Sequence, residues 1–158
     1  MYKKGKLLRK AEGSDLMNIA ISMGGEKLSF NLFEELRIDE KTINKEITEQ
    51  PSYYAFLAVL VVKLNKKVID LEKEVNKLYA ELFIDYKKDI DSSTNRPYSN
   101  DHVEAFIVSD KDYQKALKKY HEAIQDKNLI EACSKSFEQR ADLIKSLNAN
   151  VRKEKYVN

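Results

Sequence analysis

The stretch LAVLVVKLNKKVIDLEKEVNKLYAEL, residues 57–82, decides the fold. Leu57, Val61, Leu64, Val68, Leu71, Val75, Leu78 and Leu82 follow one another at alternating steps of four and three residues. That rhythm keeps an apolar seam on one side of an α-helix, facing a partner helix. Lys66, Lys67, Glu72, Lys73, Glu74 and Lys77 fill the flanks, as a solvated helix surface requires. Pro51 can sit in the first turn of a helix, so the pattern predicts one long helix over about 52–88. At a rise of about 1.5 Å per residue it would run about 55 Å, too long to hide inside a small globule.

Working outward, the stretch 89–100 collects Asp, Ser, Thr, Asn, Arg and Pro and reads as a linker. Asp101-x-x-Glu104 predicts a short capped helix to about Val108, and Ser109-x-x-Asp112 resembles a second capping box. A second long helix is expected over about 110–154. Its seam runs through Tyr113, Leu117, Tyr120 and Ile124, then resumes at Ile130, Cys133, Phe137, Ala141, Ile144, Leu147 and Val151. The change of phase near Lys127 reads as a stutter. Upstream of the first long helix, Asp39 can cap a short helix through Glu49, with Ile43 and Ile47 on one face.

Residues 11–33 carry two readings. Ile19, Ile21 and Met23 alternate before Gly24-Gly25, and Leu28, Phe30 and Leu32 alternate after it, the pattern of a β-hairpin with a two-residue turn. Alternatively, Ser14 caps a helix from Asp15 that stops at Gly24. The expected architecture is therefore mostly α: a long helical hairpin or coiled coil with a short mixed or β-hairpin N-terminal segment. Residues 1–33 form a basic arm and possible hairpin, and residues 34–158 a helical domain. Each seam continues past what two helices can cover, so assembly into a homo-oligomer is expected.

Composition narrows the chemistry. The four glycines are Gly5, Gly13, Gly24 and Gly25, so no phosphate-cradling loop of the P-loop or Rossmann kind can be built downstream. His102, His121 and Cys133 lack metal-ligand spacing, and no nucleophile elbow occurs. No cofactor, no metal and no enzyme activity are expected. Carboxylate pairs such as Asp110 and Asp112, or Glu34 and Glu35, sit at helix starts, where they offset the positive dipole end. A single cysteine and no signal-like opening point to a reducing, cytoplasmic setting. The apolar run from Tyr53 to Val62 is about half of a membrane span, so no membrane partner is expected.

Net charge is only +2, with 28 basic and 26 acidic residues, but it is unevenly placed. Lys3, Lys4, Lys6, Arg9 and Lys10 give the first ten residues +5 with no acid among them. Lys87, Lys88, Arg96 and Tyr98 flank the linker, Arg152, Lys153, Lys155 and Tyr156 crowd the C-terminus, and Tyr2 adjoins Lys3. Cations beside aromatic rings are the ingredients of a single-stranded nucleic-acid surface, phosphates on the cations and bases on the rings. Repetition around an oligomer axis would multiply modest contacts.

Three stretches carry a family resemblance. They are Gln50-Pro51-Ser52-Tyr53-Tyr54 leading to Asp85-Tyr86, Arg96-Pro97-Tyr98-Ser99 followed by Val103-Glu104-Ala105, and Val108-Ser109-Asp110-Lys111-Asp112 followed by Arg140-Ala141-Asp142. In pattern and spacing, from about Glu34 to Arg152, the chain resembles the UvsY-like recombination mediators of tailed bacteriophages. The resemblance implies a non-enzymatic protein that binds single-stranded DNA and assembles into a ring-like homo-oligomer. It also implies loading of a RecA-type recombinase onto strands occupied by a single-strand-binding protein, within the host cytoplasm. Lys66, Lys67 and Lys77 occupy the long helix from which phosphate contacts are expected. Glu81 and Phe83 stand where further cations would be, so Lys87, Lys88 and Arg96 take over, with Arg152 and Lys153 at the far end. The alternatives are a coiled-coil structural or chaperone-like phage protein without DNA binding, and a small adaptor whose basic ends meet an acidic partner.

Overall fold

The computed structural model describes residues 17–157 apart from Gly24. The basic stretch 3–10, Tyr2 and the Ser14 cap lie outside the described residues, as do the side chains of Lys155 and Tyr156. The elements in order are β1 (Asn18–Met23), β2 (Glu26–Asn31), α1 (Leu32–Leu36), a 3-10 turn (Glu40–Thr42), α2 (Ile43–Lys88), β3 (Ile90–Asp91), β4 (Arg96–Pro97), α3 (Asn100–Ser109) and α4 (Lys111–Val157). The chain is mostly helical, with long helices packing against each other and a short antiparallel hairpin. It divides into two compact units, the first comprising residues up to Val61 together with those from Leu129 on, the second Val62–Asn128. The long helices α2 and α4 contribute to both.

In the first unit, β1 and β2 pair antiparallel with Ile19 opposite Phe30 and Ile21 opposite Leu28. Met23 faces Glu26 across the turn, and Gly25 adopts φ +87, the left-handed geometry a tight hairpin demands of glycine. Of the two sequence readings the strand wins. Ile19 and Ile21 are buried while Ala20 and Ser22 face outward, which only a period of two allows. Asn31 closes the hairpin, donating to Asn18 Oδ1 (2.7 Å), and caps α1 by accepting from Glu34 N (3.2 Å).

Asp39 is a cap as expected, but of the 3-10 turn, accepting from Lys41 N (3.0 Å). The long helix then opens at Ile43, not near Ser52, and runs through Pro51. Proline lacks the N–H that would serve Ile47 C=O, a defect worth about 3 kcal/mol in a helix interior. Two features offset it. Ile47 is 37% exposed, so its residue is open to water. The residues on the N-terminal side of Pro51 are tied to α4 by tertiary bonds: Gln50 Nε2 donates to Phe137 O (2.7 Å), and the Arg140 guanidinium donates to Gln50 Oε1, Glu46 Oε2 and Arg37 O. A proline that reads as a boundary is thereby carried inside.

Around this polar knot, Ile43, Leu57 and Leu60 of α2 and Ile130, Cys133, Phe137 and Ile144 of α4 are all buried. Fully burying an aliphatic side chain of this size contributes about 1.5–3 kcal/mol. Tyr53 stacks on Phe137 at 5.8 Å between ring centres, and Tyr54 Oη donates to Glu138 Oε1 (2.7 Å). These pairings set α2 and α4 antiparallel within the unit.

The second unit is centred on Leu64, Val75, Val103, Ile107 and Ala123. The linker is an ordered ribbon. Asp91 accepts from Ser93 N (2.9 Å), Ser93 Oγ (2.7 Å) and Thr94 Oγ1 (3.0 Å), and Asn95 turns the chain at φ +52. Strand β3 then pairs antiparallel with β4, Asp91 opposite Arg96. Ser99 caps α3, two residues ahead of the cap suggested at Asp101. Asp110, not Ser109, caps α4, accepting from the amides of Asp112 and Tyr113 at 2.9 Å each. A carboxylate at the positive end of the helix dipole outcompetes a hydroxyl, and Ser109 instead donates to Ala105 O (2.8 Å).

Burial along α4 also corrects the expected stutter. Ala123 is buried and Lys127 half-buried, so the line Ala116, Tyr120, Ala123, Lys127, Ile130 keeps steps of four and three without a slip. Ile124 lies beside the seam, half-buried. Among the described residues no helix is long and apolar enough to cross a membrane.

Candidate nucleic-acid interface

Helix α2 turns its Leu64, Leu71, Val75 and Leu78 side inward. At about 100° per residue, Lys66, Lys73 and Lys77 fall on a narrow stripe roughly opposite that seam, with Lys63 at its border. All four are exposed. Lys63, Lys66 and Lys73 make no ion pair among the described residues, while Lys77 lies 3.7 Å from Glu81 one turn on. From Lys66 to Lys77 the stripe covers about 16 Å of helix. Asp70 is the acid within it.

The structure separates neighbours that the sequence groups. Lys67, adjacent to Lys66, is half-buried and lies 4.0 Å from Asp126 of α4. Burial raises the Asp126 carboxyl above its ordinary value, with Lys67 pulling the other way and Glu122 adding to the rise. Lys67 is thus a packing residue with an acidic neighbour. Lys87 likewise differs from Lys88. Lys87 Nζ donates to Tyr98 O (2.7 Å) and Asn100 Oδ1 (2.9 Å), tying the linker's end to α2. Lys88 is exposed and pairs with Asp85 Oδ1 (3.0 Å).

Arg96 is exposed on β4 in the second unit, whereas Arg152 and Lys153 are exposed near the end of α4 in the first. Lys63 and Lys73 belong to the outward stripe although the sequence reading singled out neither for binding. The angular step of 100° along an already expected helix is the signal that finds them.

Rings gather beside the linker: Tyr98 meets Phe106 edge to face at 5.0 Å, Phe106 lies 5.6 Å from Tyr86, and Tyr98 lies 6.2 Å from His102. Burial and the neighbouring Asp110 raise the Tyr86 phenol. Hydrogen bonds from the Ser93 hydroxyl and amide hold the Asp91 carboxyl below its ordinary value.

The chain matches no protein-family model, no curated protein and no solved structure.

No group of His, Cys, Asp and Glu among the described residues could hold a metal ion. An open groove of about 550 Å³ in the first unit is lined by Ile47, Pro51, Tyr54, Glu138, Asp142 and Lys145 among others. Its carboxylates are engaged, Glu138 by the Tyr54 hydroxyl and Asp142 by Lys145 (3.1 Å). Cys133 is buried, and burial pushes its thiol up, away from the reactive thiolate.

Proposed function

We propose that this chain is a non-enzymatic single-stranded-DNA-binding recombination mediator. It helps load a RecA-type recombinase onto strands held by a single-strand-binding protein. The observation that carries the reading is the outward lysine stripe of α2, where Lys63, Lys66 and Lys73 have no acidic partner among the described residues. Cations free of acid partners, repeated along one rigid helix, suit a polyanion that extends in one direction. The resemblance to UvsY-like mediators supplies the recombinase and the single-strand-binding protein as partners.

Homo-oligomer formation belongs to the same proposal. Val62 at 70% exposure, with Ile69 and Ile84 also exposed, gives the outer side of α2 apolar surface next to its lysines. Repeating the stripe in several copies would convert weak grips into avidity. The same apolar surface favours the second reading, a coiled-coil structural protein that assembles but ignores DNA.

Fluorescence anisotropy with a labelled thymidine oligonucleotide, titrated with salt, tests the proposal. Four to six phosphates neutralised per binding unit give a slope of log affinity against log salt of about −3 to −4, at about −0.7 per contact. Lys66→Glu with Lys73→Glu should weaken all sequences alike, because phosphate contacts carry no base information. A flat salt response, with assembly intact by light scattering, would leave the structural reading standing instead. Loading is read separately, as a shorter lag in recombinase filament growth on strands coated with single-strand-binding protein.

A further inference from the structure

Helix α3 buries one side completely, with Val103 and Ile107 at 0% exposure, yet Phe106 lies off that side and keeps 37% of its surface in solvent. It is a middle member of a ring cluster, 5.6 Å from Tyr86. Tyr98 stands perpendicular to it at 5.0 Å, and Tyr98 in turn lies 6.2 Å from the exposed His102, whose Nδ1 is 3.0 Å from Ser99 Oγ. The cluster is held in place from behind by the hydrogen bond from Lys87 to the Tyr98 carbonyl. Arg96 opens β4, and Tyr98 follows it by two residues, just past the end of the strand. Arg96 is exposed and makes no ion pair among the described residues. Three carboxylates of this region already have donors: Asp91 from Ser93 and Thr94, Asp110 from the amides opening α4, Asp85 from Lys88; Asp89, Asp101 and Glu104 are further acids there, all exposed.

We propose that Tyr98, Phe106 and His102 form a stacking platform for unpaired nucleobases, with Arg96 holding the adjoining phosphate. The inference rests on the nucleic-acid reading above and goes beyond it, because a lysine stripe grips phosphates and is indifferent to whether bases are present. Ring faces beside a free guanidinium select strands whose bases are unstacked and available.

The full-length chain is titrated, at one fixed low salt, with a labelled thymidine oligonucleotide and with an abasic oligomer carrying the same number of phosphates. The base-bearing strand should bind about tenfold tighter or more. Phe106→Leu keeps an apolar side chain but removes the ring; it should erase most of that difference and leave abasic affinity unchanged. Phe106→Trp places the only tryptophan in the chain at the platform, and its emission should be quenched by the base-bearing strand but not by the abasic one. Equal affinity of the native chain for both strands overturns the platform while leaving phosphate binding intact. So does a loss in Phe106→Leu that is equal for both strands. Failure of the native chain to bind either strand removes both this inference and the reading on which it rests.

Discussion

Replacing Arg140 by Met should cost more stability than any single lysine change on the outer side of α2. The Arg140 side chain is 5% exposed and its partner Glu46 16%, so the ion pair lies largely out of water. Removing the guanidinium strands a buried carboxylate on Glu46, the amide oxygen of Gln50 and the carbonyl of Arg37, all three of which it serves. Breaking a buried pair from one side costs about 3–5 kcal/mol. The two neutral oxygens, on Gln50 and on the exposed Arg37, add about 1 kcal/mol between them. One relief applies: Arg140 Nε is buried with no hydrogen-bond partner, so losing it returns about 1 kcal/mol. The expected net loss is therefore about 3–5 kcal/mol. At a urea dependence of about 2 kcal/mol per molar, the unfolding midpoint of Arg140→Met falls by about 2 M. Far-UV circular dichroism follows the transition. A cycle with Glu46→Ala should show coupling of about 2 kcal/mol or more. A loss below about 1 kcal/mol, or strictly additive single changes, would show that the knot around Pro51 does not hold the two helices together.

Further outcomes are expected. Pro51→Ala restores a donor for the Ile47 carbonyl, and after the lost rigidity of the unfolded chain is allowed for, it should raise stability by about 1–2 kcal/mol. Destabilisation on the same urea curve would mean that the ring itself packs productively. Asp126 has a raised carboxyl in the folded state, so its contribution is fully present below the ordinary carboxylate value and is lost as pH rises through the raised one. Asp126→Asn should flatten that part of the stability profile in acid, and an unchanged slope counts against burial as the cause. Lys87→Met should loosen the linker, seen as faster amide exchange at Tyr98 and Asn100, whereas Lys88→Met should leave it intact. Equal effects from the two would deny the distinction drawn between them.

The helical character and the seam of α2 could be read in advance because steps of four and three survive any tertiary context that buries one side of a helix. The hairpin was legible for the same reason at a period of two, with glycines at its turn. What could not be read were decisions taken by distant residues. Pro51 signals a boundary until Arg140, far away in sequence, ties down Gln50 and Glu46. Ala123 is ambiguous by itself and Lys127 looks unsuited to a seam, so the apparent slip arises from preferring Ile124. At the candidate site, adjacent lysines look alike in sequence. Lys66 and Lys67 part company because successive residues on a helix are rotated by about 100°. Lys87 is diverted by carbonyl and amide oxygens that only the folded linker brings to it. The basic segment at the N-terminus lies outside the described residues.

The lone thiol at Cys133 has a practical use. It is the only cysteine in the chain, and at 0% exposure it is sealed in the first unit among Ile130, Phe137 and their neighbours. A reagent such as Ellman's can meet it only when that unit breathes, so the speed of colour development counts openings without any engineered label. Oligonucleotide or self-assembly that tightens this region would slow the clock, and the same cuvette would report both the ligand and the motion it suppresses.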